Sequence, residues 1–209
     1  MFQLSLERKG GHKCGASIIT NRYAVTAAHC VNGEQVKDLQ LRSGTSFREQ
    51  GGYLHPVCSF TMHPKYNDST KDCDIAVIKC NSCTTKQIQP VALASQNPPI
   101  GAYGVVTGYG FINEDGLVKA TQLQKLQVPI VSPDLCKQIY NGSLTPNMIC
   151  AGISEGEGFC LADSGDPLVV KGTLVGVVSH AAGKCGKLVP QVFADVPAML
   201  DFVLSVVKK

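Results

Sequence analysis

Gly158-Phe-Cys-Leu-Ala-Asp-Ser-Gly-Asp-Pro-Leu-Val169 is the stretch from which the fold follows. It sets Ser164 in a turn of small residues directly ahead of an apolar run. Far upstream, Thr26-Ala-Ala-His-Cys30 offers an imidazole at His29, and Asp72-Cys-Asp-Ile-Ala-Val-Ile78 offers a carboxylate at Asp74. A serine hydroxyl is a poor nucleophile at neutral pH. It needs a neutral imidazole to take its proton, and a buried carboxylate to fix the imidazole tautomer. Each residue taken singly has a plainer explanation. His29, like His12, His55, His63 and His180, reads alone as a structural histidine, Asp74 as a turn or salt-bridge residue, and Asp-Ser-Gly as an ordinary turn. Three matching contexts in the order His, Asp, Ser are the signal.

The global numbers agree with a β-rich chain from an oxidising compartment. With 209 residues the chain can bury a substantial core. Ten cysteines at irregular spacing read as a disulfide framework, hence a secreted, extracellular protein. Cys80-Asn-Ser-Cys83 has metal-ligand spacing, but no second Cys/His pair follows it at finger distance, so neither metal nor cofactor is expected. A net charge of +3, carried by scattered Lys and Arg, argues against nucleic-acid or membrane partners. No apolar run has the length of a membrane span. Residues 1–6 lack the features of a signal peptide, so an export signal is expected upstream. Asn67-Asp-Ser69 and Asn141-Gly-Ser143 fit the glycosylation acceptor pattern.

Short apolar runs at 2–6, 17–19, 39–42, 76–78, 104–107, 126–131, 167–170 and 173–179 alternate with Gly, Pro, Asn and Asp. That rhythm predicts an all-β sandwich or barrels. A helix is predicted only at the C-terminus, where Met199, Phe202, Val203 and Val206 share one face. Pro197 suits its first turn, and Lys208-Lys209 suit its negative end. Asn97-Pro-Pro-Ile-Gly101 reads as a linker between halves 1–97 and 98–209, the first carrying His29 and Asp74 and the second Ser164.

With these motifs the chain resembles the trypsin/chymotrypsin family from Phe2 to the terminal helix. The resemblance implies two six-stranded antiparallel Greek-key β-barrels, a C-terminal helix and a site in the cleft between the barrels. It also implies the disulfides Cys14–Cys30, Cys136–Cys150 and Cys160–Cys185. Cys58, Cys73, Cys80 and Cys83 are left over, and Cys58–Cys80 with Cys73–Cys83 is the pairing expected for them. The resemblance makes the N–H groups of Ala162 and Ser164 the oxyanion hole. It makes Asp163 the carboxylate that pairs with a new N-terminal ammonium after activation.

Several positions depart from the family pattern. Ala162 and Asp166 stand where the family has glycines, and Asp166 adds a second negative charge beside Asp163. Around the primary specificity pocket, Gly158 replaces the aspartate of trypsins, so selection of Lys or Arg is not expected. Phe159, Ser179, His180, Ala181 and Gln191 line the same pocket, with side chains larger than the family's at 159, 181 and 191. Two functions follow. One is a proteolytically inactive homologue that acts by binding proteins. Such decay is similar to that of the inactivated protease paralogues of parasitic mites, which implies host complement proteins as partners. The other is a serine endopeptidase of non-tryptic specificity acting on peptides. The substitutions favour the first and the intact Ser, His and Asp favour the second.

Overall fold

The computed structural model describes residues 2–84, 88–110, 118–152, 164–181 and 189–208. Six strands close the first barrel: β1 (Gln3–Arg8), β2 (Gly11–Thr20), β3 (Tyr23–Thr26), β4 (Leu39–Ser43), β5 (Tyr53–Met62) and β6 (Ala76–Cys80). They run in the order β1-β2-β3-β6-β5-β4, and β4 returns to β1. β1 shows why the sequence suits this wall. Leu4 and Leu6 fill the barrel, each burial contributing about 1.5–3 kcal/mol. The alternate residues Gln3, Ser5 and Glu7 point the other way and are also buried. They need polar partners there. Gln40 Nε2 and Arg42 Nε supply them for Glu7, His12 Nδ1 lies 2.7 Å from Ser5 Oγ, and Gln3 reaches across to the second barrel.

The second sheet is built from β8 (Tyr103–Gly108), β9 (Gln124–Pro129), β10 (Met148–Ala151), β11 (Pro167–Val170), β12 (Thr173–His180) and β13 (Gln191–Asp195). Their order is β10-β13-β12-β11-β8-β9. A bridge between Ile130 and Ala151, with Gly152 N–H donating to the Pro129 carbonyl at 2.8 Å, joins the two ends. A two-residue strand, β7 (Ala92–Leu93), pairs with β12 in parallel. The chain crosses between barrels just before it. Val91 N–H donates to Ile18 of the first barrel and Ala94 N–H to Leu174 of the second. This crossing precedes the Asn97–Gly101 segment read as the linker.

Two short helices fall in loops that carry site residues or a disulfide. α1 (Ala28–Val31) follows β3. α2 (Pro133–Ile139) starts at Ser132, whose hydroxyl accepts from Leu135 N–H, with Pro133 in the first turn. The expected terminal helix is α3 (Leu200–Val207), entered through a 3-10 turn at Pro197–Met199. Its apolar face packs back on the first barrel: Met199 and Val203 are buried, and Phe202 and Val206 lie against the same core.

Cys14–Cys30 and Cys136–Cys150 are paired as the resemblance implies. Cys160–Cys185 lies outside the described residues. The other expected pairing is corrected. Cys80 stands against Cys83, while Cys58 and Cys73 are unpaired among the described residues. The register explains it. Val57 stands opposite Cys80, and an irregularity between Val57 and Ser59 turns Cys58 to the surface, where its thiol meets Asn81 Oδ1. Cys73 is buried on the other side of the chain reversal, facing Asn147.

Candidate active site

The geometry of the site begins with a strand register. β3 and β6 are antiparallel neighbours, and Thr26 stands opposite Ala76. The turn that leaves β3 therefore meets the segment that enters β6, which sets His29 beside Asp74. Asp74 is fully buried. Its Oδ1 accepts the backbone N–H of His29 at 2.9 Å, and its Oδ2 accepts from His29 Nδ1 at 2.7 Å. With Nδ1 donating, Nε2 is the ring nitrogen left to accept a proton. The imidazole is partly open to solvent, its side chain 21% exposed against 0% for Asp74.

A third group completes the carboxylate's shell. Ser179 Oγ, at the end of β12, donates to Asp74 Oδ2 at 2.6 Å. The second barrel thereby reaches the carboxylate of the first. Burial by itself would push the Asp74 carboxyl up, but the hydrogen bonds from His29 and Ser179 outweigh it and hold it below the usual carboxylate range. Asp74 is therefore an anion at neutral pH, aimed at the imidazole.

Ser164 sits in the turn that leads into β11. Its carbonyl accepts from Gly15 N–H at 2.8 Å, and Gly165 N–H donates to the Val178 carbonyl at 2.8 Å. Gly15 follows Cys14, and Cys14 is bonded to Cys30, the neighbour of His29. One hydrogen bond, one peptide step and one disulfide thus connect the Ser164 turn to the His29 turn. Gly165 has φ +87° and has to be glycine, since a Cβ there would stand 2.3 Å from the Gly15 carbonyl oxygen.

The expected pocket residues are placed in part. Ser179 and His180 end β12, exposed Ala181 follows, and Gln191 opens β13 with Val192 opposite His180. The His180 ring stands edge-on to Tyr140, with centroids 6.1 Å apart, and burial pulls its pKa below the usual histidine value. Gln191 is buried and its Oε1 has no hydrogen-bond partner among the described residues. Gly158, Phe159, Ala162 and Asp163 lie outside the described residues. Among the described residues no group of three His, Cys, Asp or Glu could hold a metal, and no helix is long and apolar enough to cross a membrane.

Two features escaped the sequence reading. Ser179, a pocket-wall residue on the sequence reading, in addition bonds the Asp74 carboxylate through its hydroxyl. Asp166 was read as a charge added to the turn, whereas its side chain is buried against β1, with Oδ1 accepting from Gln3 Nε2 at 2.7 Å. The available hint was composition: a carboxylate in place of glycine, between a tight turn and an apolar strand, needs a buried donor.

Comparison with known proteins agrees with this architecture. The trypsin family model matches residues 1–203. Trypsin delta of Drosophila melanogaster is 41% identical over 98% of this chain and 82% of its own length. Trypsin alpha-4 of Lucilia cuprina is 39% identical over 98% of this chain and 81% of its own. Neuropsin, a serine protease expressed in the limbic system of mouse brain, superposes with a TM-score of 0.89. It is 29% identical, over 99% of this chain and 94% of the neuropsin chain. The chain belongs to the trypsin family of chymotrypsin-like serine proteases.

Proposed function

We propose that the chain is a serine endopeptidase that cleaves peptide or protein substrates outside the cell. The supporting observation is the hydrogen-bond shell of Asp74, which engages His29 through Nδ1 and leaves Nε2 to act as base. Ser164 Oγ attacks the scissile carbonyl and His29 Nε2 takes its proton. His29 then returns that proton to the leaving amine, while Asp74 steadies the imidazolium. The N–H groups of Ala162 and Ser164 hold the oxyanion. Asp163 takes the ammonium of the processed N-terminus. Gly158 in place of a carboxylate makes the specificity non-tryptic, with Phe159, Ala181 and Gln191 narrowing the pocket.

Weight shifts here from the inactive-homologue reading. That reading, with its mite-paralogue subtype and complement partners, rests on the substitutions at 158, 159, 162, 166, 180, 181 and 191. Its counterweight is now larger: the relatives named above are trypsins at about 40% identity, and nothing seen around His29 and Asp74 is degraded. Secretion accords with the two family disulfides.

The test is turnover of a peptide library by the secreted, processed protein, with Ser164→Ala as control. Cleavage after residues other than Lys and Arg, abolished in the control, is the expected result. No cleavage by a folded wild-type protein would overturn the proposal. Cleavage confined to Lys and Arg would overturn the specificity assignment.

A further inference from the structure

Asp166 lies two residues beyond Ser164 and is completely buried. Its Oδ1 accepts from Gln3 Nε2 at 2.7 Å, and Gln3 Oε1 accepts from Thr107 Oγ1 at 2.7 Å. Gln3 belongs to the first barrel, whereas Thr107 and Asp166 belong to the second, so this polar chain bridges the seam. The carboxylate also occupies the space above Gly15: a Cβ there would fall 1.8 Å from Asp166 Oδ1. Main-chain bonds hold the same turn from both sides. Gly15 N–H donates to the Ser164 carbonyl, Val178 N–H donates to the Asp166 carbonyl at 2.9 Å, and Gly165 N–H donates to Val178. The charge is felt nearby. The Tyr109 phenol is pushed up to about 12, first by its burial and next by the Asp166 carboxylate.

We propose that Asp166 is a positioning residue: the Asp166–Gln3–Thr107 chain clamps the nucleophile turn against the first barrel and thereby sets where Ser164 Oγ stands relative to His29. A glycine at 166 would remove this side-chain anchor and keep the main-chain bonds. The kinetic consequence rests on the endopeptidase assignment; the clamp itself does not.

Asp166→Ala, Asp166→Asn and Thr107→Val are compared with the wild type by peptide kinetics and by amide deuterium exchange. In Asp166→Ala, kcat is expected to fall on the order of 10- to 100-fold while KM changes by less than about 2-fold, as for a displaced reacting group. Asp166→Asn keeps an acceptor for Gln3 and should recover to within about 3-fold of wild type. The Gly15 and Gly165 amides should exchange faster in Asp166→Ala, with β4 and β5 as protected as before. Thr107→Val, the mildest change, should move both readouts the same way by roughly 3-fold and decides the matter if Asp166→Ala does not fold. Wild-type kcat together with wild-type Gly165 protection in the variants would overturn the clamp. So would an Asn variant as impaired as the Ala variant. A wild type without turnover removes the endopeptidase assignment, and exchange alone then decides the clamp.

Discussion

At Gly165 the backbone is left-handed, and a Cβ would stand 2.3 Å from the Gly15 carbonyl oxygen and 2.4 Å from Thr26 Oγ1. Backbone cannot step aside as a flexible side chain can. Gly165→Ala should therefore destabilise by about 2–5 kcal/mol, combining left-handed strain with overpacking, read as a lower urea midpoint. Ser179 makes a different prediction. Its hydroxyl donates to an anion, a bond worth about 1.5–3 kcal/mol, so Ser179→Ala should lower kcat/KM by roughly 10- to 100-fold while the fold persists. Unchanged kcat/KM in the folded variant would show that Ser179 does not orient the carboxylate. His29, Asp74 and Ser164 were legible because their flanks recur as short contiguous patterns. The Ser179–Asp74 and Asp166–Gln3 contacts were not, because they join residues 105 and 163 positions apart and leave no local trace.

Strands β3 and β6 do at the scale of elements what motif reading does along the chain. Their register delivers the His29 turn and the Asp74 turn to the same end of the barrel. The terminal helix was legible from its spacing, and α3 buries the predicted face on the first barrel. The four leftover cysteines were not legible, since their pairing depends on the irregularity in β5 that turns Cys58 outward. Val203 on α3 is fully buried and far from the site in the chain. Val203→Ala removes two methyl groups, which should cost about 2 kcal/mol including the cavity. Chemical denaturation followed by circular dichroism reads the loss, and kcat of the folded variant should match wild type. A drop in kcat would mean that α3 reaches the site.

Across the whole molecule the seam between barrels combines polar bonds with apolar packing of Leu174, Val177 and Ala194 on the first-barrel core. Gln3 with Thr107 and Asp166, Ser179 with Asp74, and Asp72 with Thr145 and Asn147 all cross it. The crossing at 91–94, ahead of the Pro-rich segment, was hidden because β7 is too short to show alternation. The Asp72 carboxyl would be raised by burial, but hydrogen bonds from Thr145 and Asn147 hold it below its ordinary value. A depressed carboxyl stabilises above the unfolded pKa, about 3.9, and that contribution is lost as pH falls through the lower folded value. The stability gap between wild type and Asp72→Asn should therefore be full at pH 7 and narrow below about pH 4. Urea titrations at several pH values measure it, and a gap that widened on acidification would contradict the sign.

The central claim, that His29 activates Ser164, is tested most directly by fluorophosphonate labelling followed by mass mapping. Wild-type protein should be modified at Ser164 to near one label per chain, and His29→Ala should react slower by a factor on the order of 10⁴ or more. Wild-type protein that stays unlabelled, or a His29→Ala variant that labels at the wild-type rate, would contradict the account.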